Sequence, residues 1–270
     1  MCFFTQAQVT EVTYLGVDDA LAKYNDELLA EAFKHSGTSM PSIKRYPEGT
    51  PHHRGFIALG QNQGLDIVIG YATQERNDKY LAIPIPLLKG LNGWRLPVVH
   101  QDNVNLFKNI DTLAAFKEFR PGLYHSWTDY KILKHNDFSI VRGSDYQGLF
   151  QMLNKKRFDY FPRSIMVAAS EVEMFIETKN LKLALDPYIL IHYPTASYFY
   201  VNKQNTALAQ TLTLGLERMI KNGKFDQLFE RHFGELVKTI KAQNRKVFRL
   251  DNPLLPVTVP VNRKELWIEP

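Results

Sequence analysis

Apolar positions recur along this chain with two periods that take turns. Val12 to Val17 alternates and runs into Gly16-Val-Asp, which predicts a strand ending in a loop. Asp18 or Asp19 then stands where a helix cap belongs. Leu21, Leu28, Leu29, Ala32 and Phe33 share one helical face, and Gly37 ends that helix. A second strand is predicted over Ser42 to Tyr46, a loop over Pro47 to Pro51 and a short helix over Arg54 to Gln61. Asp66 to Gly70 is a short apolar run ended by glycine, the pattern of a strand buried on both faces. Strand, helix, strand, helix, strand in this order predicts a parallel or mixed sheet with covered faces.

A second such series follows. Strands are predicted at Arg95 to His100, Gly122 to Ser126, Phe138 to Arg142 and Phe158 to Phe161, with helices at Asp111 to Phe119, Thr128 to His135 and Tyr146 to Lys155. Tyr188 to Val201 is long and β-rich and would return the chain to the first series. Helix 205 to 222 then turns Leu208, Leu212, Leu216, Met219 and Ile220 inward, with Asn205 at its start and Gly223 at its end. The expected fold class is therefore α/β with two lobes, each built on a central mixed sheet. Residues 9–90 and 190–243 make lobe 1, 91–189 lobe 2, and 244–270 a proline-containing tail running extended over the surface. Crossings near 88 to 94 and 186 to 194 give a two-strand hinge, about which a cleft can open and close. There is no internal repeat and no low-complexity segment.

Composition narrows this only slightly. At 270 residues, 44% hydrophobic and 23% charged, the chain has the make-up of an ordinary globular protein. No run of 18 apolar residues predicts a membrane span. The single cysteine, Cys2, excludes an intramolecular disulfide and suits either a reducing cytoplasm or a periplasmic protein without bridges. Thr5-Gln6-Ala7 has the small-x-small form of a signal-peptidase site behind only three apolar residues, Cys2 to Phe4. A truncated export signal and a frayed cytoplasmic start are equally good readings.

The formal net charge of +5 sits in residues 216 to 249, where nine Lys or Arg face four acids. Phe225, Phe229 and Phe233 recur there every four residues, which makes one helix face and points to core contact. A solvated basic face is the expectation, with no nucleic-acid partner. Catalytic signatures fail as well: there is no nucleophile elbow, no phosphate-cradling glycine loop and no His-Glu-x-x-His. His52-His53 lacks a third ligand, so neither a metal nor a cofactor is expected.

The informative stretch is Leu65 to Val99, because it sets Arg76 just past a buried strand. In open α/β sheets ligands bind beyond the carboxyl ends of strands, and a guanidinium fork there fits a carboxylate in two-point contact. A surface ion pair with Glu75 or Asp78 is the plain alternative. Thr73-Gln-Glu-Arg76 followed by Pro84 and Pro86 resembles the Thr-x-x-Arg-then-Phe-x-x-Pro signature of type 2 periplasmic solute-binding proteins, the amino-acid-binding family in particular. The resemblance continues, in the family's order, through Gly122-Leu-Tyr-His-Ser-Trp127, Lys156-Arg-Phe-Asp159 and Asn222-Gly-Lys-Phe225.

That resemblance implies the two-lobed periplasmic-binding-protein type 2 fold, with Arg76 gripping a ligand carboxylate beside the helix start at Ser126 to Asp129. The expected ligand contacts are Asp18, Tyr71, Thr73 and Arg76 from one lobe and Ser126, Trp127, Thr128, Asp129, Arg163 and Ser164 from the other. Trp127 would wall the cleft or simply belong to the core. Where the family places an aspartate for the ligand ammonium this chain has Ser164, with Arg163 beside it. The missing acid favours an anion, one with two acidic groups among them, over a zwitterion. Arg163 pairing with Glu171 or Glu173 is the alternative. Asp159, like its family counterpart, is expected to be structural.

The function implied is non-catalytic capture of a small, carboxylate-bearing or amino-acid-like solute by a monomeric periplasmic protein. An ABC-transporter permease would be its membrane partner in uptake. A sensing module of a signalling receptor and an enzyme on the same bilobal scaffold are the alternatives, although the Thr-Arg-Phe motif of prephenate dehydratases is not found. A transcription regulator's helix-turn-helix does not fit in the eleven residues shown ahead of the first strand.

Overall fold

The computed structural model describes residues 10–16, 21–47 and 49–270. Asp18 and Asp19 lie outside them. The chain forms two compact units: one runs to Leu87 and adds Ser197–Gly234 and Pro256–Asn262, the other comprises Leu88–Ala196, Glu235–Leu255 and Arg263–Pro270. Among the described residues no helix is long and apolar enough to cross a membrane.

The first unit is built on β1 (Glu11–Leu15), β2 (Ser42–Arg45), β3 (Ile67–Tyr71) and β4 (Leu81–Ile83), joined by β11 (Ser197–Val201) in the order β2-β1-β3-β11-β4. β1 runs parallel to β2 and β3, whereas β11 is antiparallel to β3 and β4, so the sheet is mixed. β3 and β11 are buried along almost their whole length, whereas β1, which also has a strand on each edge, alternates between buried and partly buried positions as a strand covered on one face does. Helices α1 (Ala22–Ser36), α2 (His52–Gly60) and α3 (Gln74–Lys79) belong to this unit, as does α8 (Thr206–Lys221).

α1 and α8 pack backbone to backbone. A Cβ built on Gly215 would lie 1.8 Å from the carbonyl oxygen of Ala32, so only glycine permits the approach. At the end of α1, where Gly37 turns left-handed at φ 83°, Arg218 Nη1 donates to the carbonyls of His35 (3.0 Å) and Ser36 (2.8 Å). A cation there satisfies orphan acceptors and the negative end of the helix dipole. Gly215→Ala must therefore push the two helices apart, at a cost of about 1–3 kcal/mol or more. Chemical denaturation of the variant checks this, and unchanged stability would contradict the close approach.

The second unit carries β5 (Trp94–His100), β8 (Tyr160–Ser164), β9 (Leu183–Leu185), β10 (Ile189–His192) and β12 (Lys246–Arg249), ordered β12-β10-β5-β8 with β9 also on β5. β6 (Gly122–Tyr124) and β7 (Val141–Gly143) form a separate parallel pair, linked to β8 by a bridge between Pro121 and Tyr160. Helices α4 (Leu113–Lys117), α5 (Thr128–His135), α6 (Tyr146–Asn154) and α7 (Ala168–Lys179) surround an aromatic core in which Phe150 stacks on Phe175 at 4.1 Å. Asp159 is structural: its Oδ2 accepts from Arg120 N at 2.6 Å while its own N–H donates to Arg120 O at 2.9 Å.

Three readings of the sequence change. Tyr188 to Val201 is two strands in different sheets, broken at Tyr193-Pro-Thr-Ala196, where Gly93 O accepts from Tyr193 N. The tail is not simply extended surface chain, because β12 adds a parallel edge strand to β10. The polar segment after β3 is a helix, α3, and α7 and the 19-residue α9 (Lys224–Ala242) were not delimited from the pattern.

Candidate ligand-binding site

The C-terminal end of β3 assembles Tyr71, Thr73 and Arg76 into one unit. Thr73 is the cap of α3, and its Oγ1 accepts from Arg76 N at 3.3 Å. That bond answers the need of a first-turn N–H and fixes where α3 starts. Arg76 then folds back: its Nη1 donates to Tyr71 O at 2.6 Å, and its guanidinium carbon lies 4.6 Å from the centroid of the Phe56 ring. Gly70 makes room for that ring, since a Cβ there would meet Phe56 at 2.8 Å.

The ion pair weighed for Arg76 is not made. Lys79 Nζ donates to Glu75 at 2.8 Å, and Asp78 accepts from Gln74 at 2.8 Å. Among the described residues no carboxylate lies within ion-pair distance of Arg76. Burial lowers its pKa, but a guanidinium stays charged throughout the working range.

Two neighbours were not singled out as ligand contacts. Tyr200 on β11 donates to Asn77 Oδ1 at 2.9 Å on α3, and His52, the first residue of α2, hydrogen-bonds Ile69 O at 2.7 Å through Nε2. Burial and the nearby Arg76 charge push the His52 pKa down to about 4, so the ring is neutral at pH 7 and Nε2 donates. Among the described residues no cluster of His, Cys, Asp and Glu could hold a metal. The unfolded chain takes up the His52 proton near pH 6.5 and the folded one only near pH 4, so stability is complete above pH 6.5 and falls as the pH drops between them. The loss should approach about 3 kcal/mol. A melting-temperature series on wild type and His52→Gln tests this, and parallel pH profiles would refute it.

In the second unit the predicted residues gather at the start of α5 and the end of β8. Ser126 is exposed. Trp127 occupies the cap position of α5 without a side-chain capping bond, which leaves first-turn N–H groups of Thr128 and Asp129 available to an acceptor. Its ring is half-buried and stacked on Phe161 at 6.0 Å, packed against the core of this unit. Asp129 is more than a helix-start charge. Arg95 Nε donates to its Oδ1 at 2.6 Å and Tyr193 donates its hydroxyl proton to the same oxygen. Burial alone would raise the Asp129 pKa; Arg95 and Tyr193 hold it below the usual carboxylate value.

Arg163 is spent within its own unit. Nε and Nη2 bind both oxygens of Glu171 at 2.7 and 2.5 Å, Tyr146 donates to that carboxylate at 2.9 Å, and the rings of Phe161, Trp127 and Tyr146 surround the guanidinium. Burial disfavours the charged guanidinium, but Glu171 outweighs it and raises the pKa. Ser164 pairs across the ladder with Arg95, and its Oγ accepts from Met166 N at 3.4 Å. Arg95 and Arg163 thus each have an internal carboxylate, which removes the second open cation on which a doubly acidic ligand rested. Arg95, Tyr146, Glu171 and Tyr193 complete this network. The visible signal for Arg95 was one charge inside Trp94-Arg-Leu-Pro-Val-Val-His100, a strand buried throughout.

No protein-family model and no curated relative matches the chain. Solved structures do. A probable amino-acid ABC transporter extracellular-binding protein from Bacillus subtilis is 19% identical with a TM-score of 0.59 over 84% of this chain and 99% of its own. A Salmonella typhimurium periplasmic binding protein of high arginine specificity is 17% identical, TM-score 0.52, over 83% and 100%. A histidine kinase sensor domain with similarity to periplasmic binding proteins is 12% identical, TM-score 0.57, over 85% and 98%. The chain therefore has the two-lobed α/β fold of the periplasmic amino-acid-binding proteins, at an identity that speaks for fold alone.

Proposed function

We propose that this protein binds a small polar solute bearing one carboxylate and does no chemistry on it. The observation that carries the reading is Arg76: a guanidinium held past the end of a central strand by Tyr71 O and Phe56, with no carboxylate partner among the described residues. Tyr71, Thr73 and, from the sequence, Asp18 would flank the carboxylate. The open N–H groups at the start of α5 and the Trp127 ring would contact the solute from the second unit, with Ser126, Thr128 and Ser164 supplying polar contacts. Asp129 and Arg163, engaged by Arg95 and Glu171, would shape the site more than they charge it.

Uptake through an ABC-type permease is the role that accords with the Bacillus and Salmonella proteins of this fold, and it places the protein outside the cytoplasmic membrane. The kinase sensor domain of the same fold keeps sensing as the second reading. Mass spectrometry of protein purified without denaturation should recover the solute, and a thermal-shift screen of amino acids and small carboxylates should reproduce it. A ligand at a hundred times its Kd adds about 2.7 kcal/mol of stability by mass action. A recovered compound lacking a carboxylate, or turnover of the compound by the protein, would refute the proposal.

A further inference from the structure

We propose that the solute held by Arg76 is a hydroxycarboxylate whose hydroxyl donates to Nδ1 of His52, a proposal that rests on Arg76 taking the carboxylate. Two side chains close the carboxyl end of β3. His52 Nε2 lies 2.7 Å from Ile69 O, and Arg76 Nη1 lies 2.6 Å from Tyr71 O. Carbonyls two residues apart on a strand share an edge and stand about 7 Å apart, so the imidazole and the guanidinium are set side by side at that spacing. One ring buttresses both. The Phe56 and His52 ring centroids are 5.3 Å apart at 83°, and the Arg76 guanidinium carbon is 4.6 Å from the Phe56 centroid. Gly70 gives His52 its place as well, since a Cβ there would lie 3.2 Å from His52 Cε1. All of these residues belong to the first unit.

The carbonyl dictates the tautomer of the imidazole. Ile69 O can only accept, so Nε2 carries the proton and Nδ1 of the neutral ring is left as a bare acceptor. Nδ1 makes no hydrogen bond among the described residues, and it is not one of the unpartnered atoms sealed inside the protein, as the Tyr198 hydroxyl is. His52 is only half-buried, so that nitrogen is open to a solute. Arg76 likewise spends one N–H on Tyr71 O, and its other donors have no partner among the described residues. A donor fork and a lone acceptor side by side are the complement of a carboxylate and a hydrogen-bond donor on one small molecule.

What surrounds Nδ1 decides the charge of that donor. Burial and the Arg76 charge keep a proton off this ring, and both act in the same direction against an ammonium placed on Nδ1. The two acids of α3, Glu75 and Asp78, are engaged by Lys79 and Gln74 and do not offset that field. A neutral donor is therefore favoured. Among neutral donors a hydroxyl oxygen can donate to Nδ1 and accept from an open N–H of Arg76 at once, whereas an amide nitrogen only donates.

Two matched sets of probes separate the classes in calorimetric titrations of the full chain: lactate, propionate and alanine, and 3-hydroxybutyrate, butyrate and 3-aminobutyrate. In at least one set the hydroxy acid is expected to bind roughly threefold to tenfold tighter than its deoxy partner, and tighter than its amino partner. His52→Phe should bring that affinity down to the level of the deoxy acid. His52→Gln, whose amide can donate to Ile69 O and still offer an acceptor, should restore the preference. Nitrogen-15 NMR of His52 in the wild-type chain, with no probe added, should show the proton on Nε2. A proton on Nδ1, equal affinity for hydroxy and deoxy acids, tighter binding of the amino acids, a preference that survives His52→Phe, or no saturable binding of either hydroxy acid at millimolar concentration would each overturn the hydroxycarboxylate class. Arg76→Ala should lose hydroxy and deoxy acids alike; unchanged binding there would overturn the carboxylate reading beneath it.

Discussion

Arg76→Ala is expected to weaken binding of the native carboxylate solute by roughly 30- to 700-fold, because a charge-assisted two-point contact contributes about 2–4 kcal/mol. The fold should survive. Thr73 caps α3 through the backbone N–H of Arg76, which alanine retains, and no ion pair among the described residues is broken. What is lost structurally is one hydrogen bond to Tyr71 O and the face of Phe56, about 1 kcal/mol. Arg76→Lys should recover part of the affinity only, since an ammonium cannot span both carboxylate oxygens. Titration calorimetry on both variants decides the matter. Full affinity in folded Arg76→Ala would remove the residue on which the proposed function stands.

That arginine was legible in the sequence, and its helix was not. Gln74 to Lys79 contains no apolar residue, so no periodicity marks α3; the visible signal was Thr73 three residues ahead of Arg76, the spacing of a cap to the N–H it satisfies. The central strands were legible for the opposite reason. Burial on both faces leaves β3 as an apolar run and β5 as one interrupted only by Arg95 before its terminal histidine, a pattern that a sheet interior accommodates. β12 was hidden because Lys246 and Arg249 flank Val247 and Phe248 on an edge strand, where charge is tolerated and four residues give too little pattern. Ion partners divide in the same way. Arg163 and Glu171 are eight residues apart and were weighed together, whereas Arg95 and Asp129 are 34 apart and only the fold brings them into contact. Asp129 was therefore expected among the ligand contacts, with its internal partner unseen. A lone arginine within a buried strand was the clue, since such a charge requires a partner.

Arg95→Met is expected to be the most destabilising of these substitutions. Arg95 is 5% exposed and supplies Asp129 with its only hydrogen-bonded cation among the described residues; its Nη1 also satisfies Asn92 O at 2.6 Å. Removing it leaves a buried carboxylate with Tyr193 alone as donor among the described residues, and breaking a buried pair on one side costs roughly 3–5 kcal/mol. The melting temperature should fall by about 10 °C for a chain of this size. The pH dependence identifies the cause. In wild type the Asp129 pKa is lowered, so its contribution is present above the unfolded value near 4 and lost as the pH falls. In the variant the uncompensated carboxylate shifts upward instead, so folding is favoured below that value and penalised as the pH rises towards neutrality. The deficit should therefore be smaller near pH 4 than at pH 7. The double variant Arg95→Met with Asp129→Leu should regain most of the loss, because an apolar pair leaves no stranded charge. A single-variant deficit below about 1 kcal/mol, or one independent of pH, would mean that water or another residue compensates Asp129 and that the pair is not what anchors α5 to β5.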